Sequence, residues 1–345
     1  EELRRLEGVE RVLGHAEKAC LAALTGRPAE PASEAPAQGA ARTRPLVRVQ
    51  DGCGNACSFC VIPAVRGGLR SRPSGDVAAE VRAWAEAGVE EIVLTGIHLG
   101  QWGRDLPGRP GLPDLLRALL AQTALPRIRL SSVEPMNWTA DLIGLLAAEP
   151  RLAPHAHIPL QSGSGSVLRR MRRRYRPEDY ATRVHAIRRL LPDAAIGADV
   201  MAGFPGETEA EFAATEEFIA ALPLTYLHVF TYSPRPGTEA ARRIGAPGWE
   251  AVDGAKAAAR AAGLRTLSEC RSQTFARRFV GRHLDLVTLA ETRGGRTLAL
   301  SGNYLGVWLE GRWPAGRRCA GEATGWAEGR LQARMAAPPG EPGVL

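Results

Sequence analysis

Short strand-like runs alternate with helical stretches through most of this chain, and this alternation limits its fold more than any other feature. The strand-like runs are rich in β-branched and aromatic residues, while the segments between them repeat apolar residues at the helical period. The predicted strands are Leu46–Gln50, Glu91–Thr95, Arg127–Ser131, His155–Leu160, Ala195–Met201 and Tyr226–Thr231. Strict alternation predicts an α/β fold with a parallel sheet. Six units favour a partial (β/α)6 barrel over a closed eightfold one, with a doubly wound sheet as the alternative.

Changes in composition divide the rest of the chain. After residue 275 the pattern turns to short alternating runs separated by glycines, which predicts a small all-β barrel. Residues 27–45 are rich in proline and alanine and indicate a linker. The helical pieces in residues 1–26 are too short to enclose a core. We therefore expect an α/β core over residues 46–275, followed by a β-barrel over residues 276–340.

Positive charge is in excess, because 44 basic residues oppose 37 acidic ones and give a net charge of +7. Such a balance favours an anionic partner, and nucleic acid is the first candidate. A GC-biased coding sequence would produce the same arginine-rich composition. No apolar run approaches the roughly 20 residues that a membrane span needs. The N-terminus also lacks an apolar signal core, so neither membrane insertion nor secretion is expected and the cytoplasm is the expected compartment.

Three of the six cysteines, Cys53, Cys57 and Cys60, form a C-x3-C-x2-C cluster directly after the first predicted strand. Three thiolates can hold three irons of a [4Fe–4S] cube and leave the fourth iron open. The amine and carboxylate of S-adenosylmethionine suit that vacancy, and one-electron reduction there would cleave a C–S bond to a 5′-deoxyadenosyl radical. The alternative is a zinc site with a distant histidine, such as His98 or His157, as fourth ligand.

These residues resemble the radical S-adenosylmethionine superfamily and, within it, the methylthiotransferases. The resemblance rests on the cysteine spacing, on Phe59 before the last cysteine, and on further segments in the family's order. These segments are Val49–Cys53, Val61–Pro63, Leu94–Ile97, Arg129–Pro135, His157–Ser164, Gly203–Thr208 and Phe230–Thr238. They are most similar to the bacterial branch that acts on N6-threonylcarbamoyladenosine at tRNA position 37. The resemblance implies a radical-SAM barrel followed by an RNA-binding, TRAM-like β-barrel.

The resemblance also implies cofactors and partners. It implies one [4Fe–4S] cluster at Cys53, Cys57 and Cys60, with S-adenosyl-L-methionine beside it, tRNA as substrate, and an electron donor such as flavodoxin or ferredoxin. A second, sulfur-donating [4Fe–4S] cluster is held in this family by three cysteines of an N-terminal domain. Those cysteines are absent from the sequence, and residues 1–26 resemble only the last part of that domain. We therefore expect the sequence to be a fragment of such an enzyme.

Loops that follow the predicted strands should meet at the same rim as the cysteines. Glycines there would let the backbone approach a ligand, Glu134 could accept hydrogen bonds from ribose hydroxyls, and Arg173 could pair with a carboxylate. The residues expected to bind S-adenosylmethionine are Phe59, Thr95, Gly96, Ser131, Glu134, Gln161, Ser162 and Arg173. No catalytic side chain is assigned.

Six arginines lie between residues 169 and 176, and no acidic residue separates them. Phosphate would relieve their mutual repulsion, whereas a solvated helix face is the ordinary alternative. The residues expected to contact RNA are Arg169, Arg170, Arg172 and Arg174 and, in the terminal barrel, Tyr304. Trp308 and Trp313 could stack on bases or belong to the core of that barrel.

The function expected from the resemblance is methylthiolation of C2 of N6-threonylcarbamoyladenosine in tRNA. Since that C2–H bond is unactivated, its substitution calls for radical rather than polar chemistry. A methylthiotransferase for another tRNA adenosine or for a ribosomal protein is the enzymatic alternative. From a different class, the chain could be an RNA-binding protein without sulfur-transfer activity.

Overall fold

The computed structural model describes residues 5–13, 24 and 43–336. The linker expected over residues 27–45 therefore lies outside the described residues up to residue 42. Most of the expected N-terminal remnant, residues 1–26, also lies outside them.

Two parallel sheets follow one another around the core. The first has the order β2-β1-β3-β4, in which only the short β2 is antiparallel, and the second has the order β5-β6-β7. Their strands are β1 (Leu46–Asp51), β2 (Arg70–Ser71), β3 (Glu91–Gly96), β4 (Arg127–Leu130), β5 (His155–His157), β6 (Ala195–Ala202) and β7 (Tyr226–Thr231). Backbone hydrogen bonds from Ile128 to Arg151 (2.8 Å) and from Val133 to His157 (3.0 Å) join the sheets. The major strands keep their chain order without reversal, so the predicted partial barrel is confirmed.

Helices cover the outside of these sheets. They are α1 (Ile62–Arg66), α2 (Ser74–Glu86), α3 (Leu112–Gln122), α4 (Ala140–Ala148), α5 (Gly165–Arg170), α6 (Pro177–Leu190), α7 (Glu209–Ala221), α8 (Glu239–Arg243) and α9 (Gly254–Arg277). Helix α6 shows why the sequence forms them, because it starts at a proline and buries Tyr180, Val184 and Ile187 on one face. In the described part of the chain, no helix combines the length and the apolar character that a membrane crossing requires.

The C-terminal strands close a five-stranded barrel in the order β10-β12-β11-β8-β9. They are β8 (His283–Arg293), β9 (Arg296–Ser301), β10 (Gly306–Glu310), β11 (Arg318–Ala327) and β12 (Arg330–Met335). Leu286, Val307 and Leu331 are fully buried in its core. Trp308 is buried as well, and half-buried Trp313 donates its indole N–H to the Glu310 carbonyl at 2.7 Å. Trp308 is therefore a packing residue rather than an exposed platform for bases.

A buried ionic network joins the two barrels. The carboxylate of Glu91 on β3 accepts hydrogen bonds from Arg127 (2.9 Å) and Arg129 (2.8 Å) on β4. Arg129 also donates to the carbonyl oxygens of Ser301 (3.1 Å) and Gly302 (2.9 Å), at the end of β9. All three charged side chains are at most 2% exposed. One acidic residue thus ties β3 to β4 and, through an arginine, to the C-terminal barrel.

Candidate active site

The loop that carries the three cysteines starts at the carboxyl end of β1. Gly52, which precedes Cys53, has a φ of +71°, and a Cβ atom there would lie 1.9 Å from the Gly68 carbonyl oxygen. Only glycine allows this close passage. The backbone N–H of Cys53 donates to the Gly67 carbonyl at 3.1 Å. The first cysteine is therefore held by backbone geometry that starts one residue before it.

The buried side chain of Gln50 ties this loop to the next strand. Its Nε2 donates to the carbonyls of Asp51 (2.6 Å) and Gly52 (2.7 Å), and its Oε1 accepts the backbone N–H of His98 at 2.7 Å. A Cβ atom on Gly96 would lie only 3.0 Å from Gln50. Gln50 is therefore a positioning residue, and the sequence analysis quoted it in a motif without assigning it this role.

A second anchor lies between the last two cysteines. The backbone N–H of Ser58 donates to the Met171 carbonyl (3.1 Å), and its carbonyl accepts the N–H of Ala240 (2.8 Å). The ring of Phe59 packs edge-on against Phe204, with centroids 6.3 Å apart. These contacts fasten the cysteine loop to the segment that follows α5 and to the start of α8.

The three cysteines line one cavity of about 260 Å³, and each is partly exposed. Five residues expected to bind S-adenosylmethionine line the same cavity: Phe59, Gly96, Glu134, Gln161 and Arg173. Thr95, Ser131 and Ser162 are not among the described residues that line it. Ser162 is fully buried, and its hydroxyl lies 3.0 Å from the hydroxyl of Thr215. The side chain of Ser162 therefore serves the packing of its loop.

The spacing of the thiol sulfurs distinguishes a cluster from a single ion. A tetrahedral zinc ion would bring thiolate sulfurs to about 3.8 Å from one another. Among the described residues, the cysteine sulfurs do not form a group within 4.8 Å, with or without a histidine nitrogen. Thiolates that bind separate irons of one cluster have no need of such closeness. The donor set and its spacing thus fit a [4Fe–4S] cluster at Cys53, Cys57 and Cys60 better than the zinc alternative.

Glu134 and Arg173 face the cysteines across the cavity. The guanidinium of Arg173 contacts the Glu134 carboxylate, and its Nη1 lies 3.4 Å from Sγ of Cys57. Burial raises the pKa of Glu134 above its usual value, although Arg173 acts in the opposite direction. Tyr175 fixes the pair from behind, because its hydroxyl lies 3.3 Å from Arg173 Nε and donates to the Leu160 carbonyl at 2.7 Å. Glu134 and Arg173 therefore place an acidic and a basic group beside the thiols.

Asp199, Ser132, His98 and Asn55 also line this cavity. The sequence pointed to none of them as a residue that binds S-adenosylmethionine, and to His98 only as a possible fourth ligand of a zinc ion. Asp199 lies inside the largely buried strand β6, where a carboxylate is unexpected without a function or a partner. A carboxylate in a buried strand is therefore a sequence signal that could have identified Asp199 as a functional residue. Burial opposes its ionisation, but His157 and His228 beside it lower its pKa from 3.8 to about 2. Burial and nearby arginines lower the pKa of His98 to about 4, so this imidazole is neutral at neutral pH.

The arginine-rich segment divides into paired and unpaired side chains. Arg170 binds Glu211 (2.7 Å), and Arg172 contacts Glu239. In contrast, the exposed side chains of Arg169, Arg174 and Arg176 make no ion pair with any described residue. These three line an open cleft of about 1170 Å³. Glu178, Asp179 and Glu217 line the same cleft, so its wall carries charges of both signs.

A smaller cavity of about 240 Å³ lies next to both the cleft and the cysteine cavity. Arg173, Arg174 and Tyr175 line both the cleft and the smaller cavity. Cys57 and Glu134 line both the smaller cavity and the cysteine cavity. A series of neighbouring cavities with shared lining residues thus extends from the exposed arginines to the thiols.

Tyr304, expected to contact RNA, lies at the junction between the two barrels. Its ring stacks on His155, with centroids 4.3 Å apart, and the Arg129 guanidinium lies 5.3 Å from its centroid. Its φ of +66° marks the tight turn before β10. These contacts occupy the ring faces that a base would need.

Comparison with known proteins places this site in a family. The sequence model of the Radical SAM superfamily matches residues 47–219, half of the chain. A Parafrankia sp. (strain EAN1pec) protein named tRNA-2-methylthio-N(6)-dimethylallyladenosine synthase is 42% identical over 281 residues, which cover 81% of this chain and 55% of the relative. The threonylcarbamoyladenosine tRNA methylthiotransferase MtaB of Bacillus subtilis (strain 168) is 45% identical over 202 residues, 58% of this chain and 45% of the relative.

The chain spans about half the length of these curated relatives. Among solved structures, the radical S-adenosylmethionine methyltransferase TsrM of Kitasatospora setae aligns with a TM-score of 0.49 and 20% identity, over 58% of this chain and 39% of that one. The match to the superfamily model and the two relatives confirm the predicted resemblance to radical S-adenosylmethionine methylthiotransferases. The chain belongs to the radical SAM superfamily.

Proposed function

We propose that this chain is the radical-generating and RNA-binding part of a tRNA methylthiotransferase that acts on C2 of adenosine 37. Membership of the superfamily implies S-adenosylmethionine and a [4Fe–4S] cluster as cofactors. The observation that carries the proposal is the series of neighbouring cavities that extends from the exposed arginines to the cavity that all three cysteines line. An enzyme that attacks a base within RNA needs such a path, because the phosphates stay outside while the base enters.

Within the cavity, the residues would divide the work of binding. Cys53, Cys57 and Cys60 would hold the cluster. The bound cluster supplies the single electron that reduces S-adenosylmethionine, and an external donor replaces that electron. Glu134 and Arg173 would bind polar groups of the cosubstrate, since they lie beside the thiols with opposite charge. The sulfur-donating cluster implied by the family resemblance would be held outside this sequence.

The RNA would contact two surfaces. Arg169, Arg174 and Arg176 would bind phosphates along the cleft. The C-terminal barrel, residues 276–340, would act as a TRAM-like RNA-binding domain. Its exposed Arg312 and Arg317 support this role, and the Arg317 guanidinium lies 5.4 Å from the centroid of the Trp313 ring.

The smaller cavity favours N6-threonylcarbamoyladenosine as the substrate. Arg104 and Arg174 line it together with His98, and the exposed side chain of Arg104 has no ion pair with any described residue. The carboxylate of the threonylcarbamoyl group would pair with these guanidinium groups. An N6-dimethylallyl group has no charge and would leave the guanidinium groups unpaired. Dimethylallyladenosine is the second candidate, because the Parafrankia relative named for it matches 81% of this chain.

Hydrogen abstraction from the base provides a test that does not depend on the sulfur donor. The reconstituted chain would receive S-adenosylmethionine, a reductant and tRNA deuterated at C2 of adenosine 37, in separate threonylcarbamoyl, dimethylallyl and unmodified forms. Mass spectrometry should find deuterium in 5′-deoxyadenosine, most of all with the threonylcarbamoyl form. Arg104→Leu should reduce that preference, while Arg109→Leu, an exposed control on the same loop, should leave it unchanged. Equal low deuterium transfer from all three tRNAs would refute the proposed substrate.

A further inference from the structure

We propose that His157, Asp199 and His228 form a site for one divalent transition-metal ion, separate from the cysteine loop. One ligand atom from each residue lies within 4.8 Å of the other two. Two imidazole nitrogens and one carboxylate oxygen are a donor set that zinc and non-haem iron sites use. The site would take a borderline divalent cation, for which zinc is the probe.

The register of the second sheet brings these residues together. Asp199 on β6 pairs directly with His228 on β7, and His157 on β5 pairs with Gly197. Gly197 precedes Asp199 by two residues, so both positions face the same side of the sheet. Gly197 has no side chain, and the ring of Tyr226 occupies the space above it, stacked beside the ring of His157 with centroids 5.9 Å apart. The ligand set therefore comes from three adjacent strands rather than from a mobile loop.

The distances match the spacing of ligands around an ion rather than that of hydrogen-bonded pairs. Nε2 of His157 and Nδ1 of His228 each lie 3.4 Å from the same carboxylate oxygen, Oδ1 of Asp199. Ligands at zinc–nitrogen and zinc–oxygen bond lengths in a tetrahedral site are about 3.3–3.4 Å apart. Hydrogen bonds between nitrogen and oxygen are commonly near 2.9–3.0 Å.

His157 gives an independent indication of a ligand. The residue is only 5% exposed, yet its Nε2, which faces Asp199, has no hydrogen-bond partner. Its other ring nitrogen, Nδ1, lies 2.7 Å from the hydroxyl of Ser132. Metal-bound histidines usually donate their second ring N–H to such a partner, which fixes the ring and the tautomer. An ion at Nε2 would supply this buried nitrogen with the partner that it otherwise lacks.

The site is accessible and borders the cysteine cavity. The side chain of His228 is 49% exposed, so an ion and its remaining water ligands could reach the site from solvent. Asp199 also lines the cavity with the cysteines. A bound cation would therefore neutralise the carboxylate in that wall, next to the place proposed for S-adenosylmethionine.

Zinc binding to the reconstituted full chain tests the proposal. After equilibration with zinc sulfate and desalting, metal analysis should find one zinc per chain. Zinc X-ray absorption should show nitrogen and oxygen ligands without sulfur. His228→Ala should abolish stoichiometric zinc, whereas His185→Ala, a change at another exposed histidine, should retain it. Ser132→Ala should weaken zinc binding by about 10- to 100-fold, because it removes the partner of His157.

Circular dichroism would establish that His228→Ala is folded. If it is not, Asp199→Asn, which changes no volume, should show the same loss of zinc. The proposal is overturned if the wild-type chain binds no stoichiometric zinc, if sulfur ligands dominate the absorption spectrum, or if folded His228→Ala binds zinc as the wild type does.

Discussion

Nη1 of Arg173 lies 3.4 Å from Sγ of Cys57, so a permanent positive charge contacts one of the three proposed cluster ligands. The side chain of Arg173 is only 5% exposed, and water screens this charge little. Net charge and hydrogen bonds to the sulfurs are among the factors that set the reduction potential of an iron–sulfur cluster. Arg173 should therefore favour the reduced state.

Replacing Arg173 tests this electrostatic role. Arg173→Gln should lower the midpoint potential of the cluster by tens of millivolts, since it removes a positive charge that stabilises the added electron. Arg173→Lys, which keeps the charge, should restore most of the potential. A redox titration followed by electron paramagnetic resonance gives both values. Equal potentials in wild type and Arg173→Gln would show that the contact has no electrostatic effect on the cluster.

The junction between the barrels should depend on Glu91. Glu91→Gln leaves Arg129 buried without a counter-charge and leaves Arg127 with Asp285 alone, which should cost roughly 3–5 kcal/mol of unfolding free energy. Urea denaturation followed by circular dichroism measures the loss. Arg117→Gln breaks the solvent-exposed pair with Asp141 and should leave the midpoint nearly unchanged. A loss of the same size in both variants would contradict the special role of the buried carboxylate.

Glu91 should also make the free energy of unfolding depend on pH. Burial opposes ionisation of Glu91, but Arg129 and its neighbours outweigh this effect and lower its pKa from 4.5 to about 2. A lowered carboxyl pKa contributes stability above pH 4.5, and this contribution is lost as the pH falls towards about 2. Wild-type unfolding free energy should therefore fall in this window by more than that of Glu91→Gln. Parallel acid profiles for the two proteins would contradict the assignment.

The unpaired arginines of the cleft should control the salt dependence of tRNA binding. Replacing Arg169, Arg174 and Arg176 together with Gln should weaken binding to all tRNAs and reduce the slope of log affinity against log salt by about two to three. Filter binding over a range of salt concentrations gives the slope. The matched control changes three exposed arginines outside the cleft to Gln: Arg82, Arg109 and Arg189. Identical slopes for the two triple variants would mean that the cleft arginines are merely solvated.

Local sequence patterns predicted the helices and strands whose own residues show the periodicity or the end signals of that element. Helix α6 begins at Pro177, as its sequence predicts, and its apolar face is buried. Strand β11 has no local strand signal, because Gly321, Ala323 and Gly325 give it neither bulky side chains nor alternation. The predicted strand His155–Leu160 ends at His157, two residues before Pro159, which cannot donate to a ladder. Strand β11 forms because it pairs with β8 and β12, and the local sequence contains neither partner.

Distant contacts explain what the sequence could not predict about the site. The six clustered arginines have no acid among them, yet Arg170, Arg172 and Arg173 find acids at positions 211, 239 and 134. The alignment of His157, Asp199 and His228 depends on the register of three strands, which no single strand sequence defines. In contrast, the three cysteines lie in one short loop, so the sequence alone predicts that their thiols are close in space.

The central claim is that Cys53, Cys57 and Cys60 hold a cluster that cleaves S-adenosylmethionine. The most direct measurement is 5′-deoxyadenosine released by the anaerobically reconstituted chain when S-adenosylmethionine and dithionite are added. Wild type should release it, Cys57→Ala should release none, and Cys270→Ala, a change at an exposed cysteine outside the cavity, should match wild type. A folded, iron-loaded wild type that forms no 5′-deoxyadenosine, or a Cys57→Ala variant that forms as much, would contradict the account.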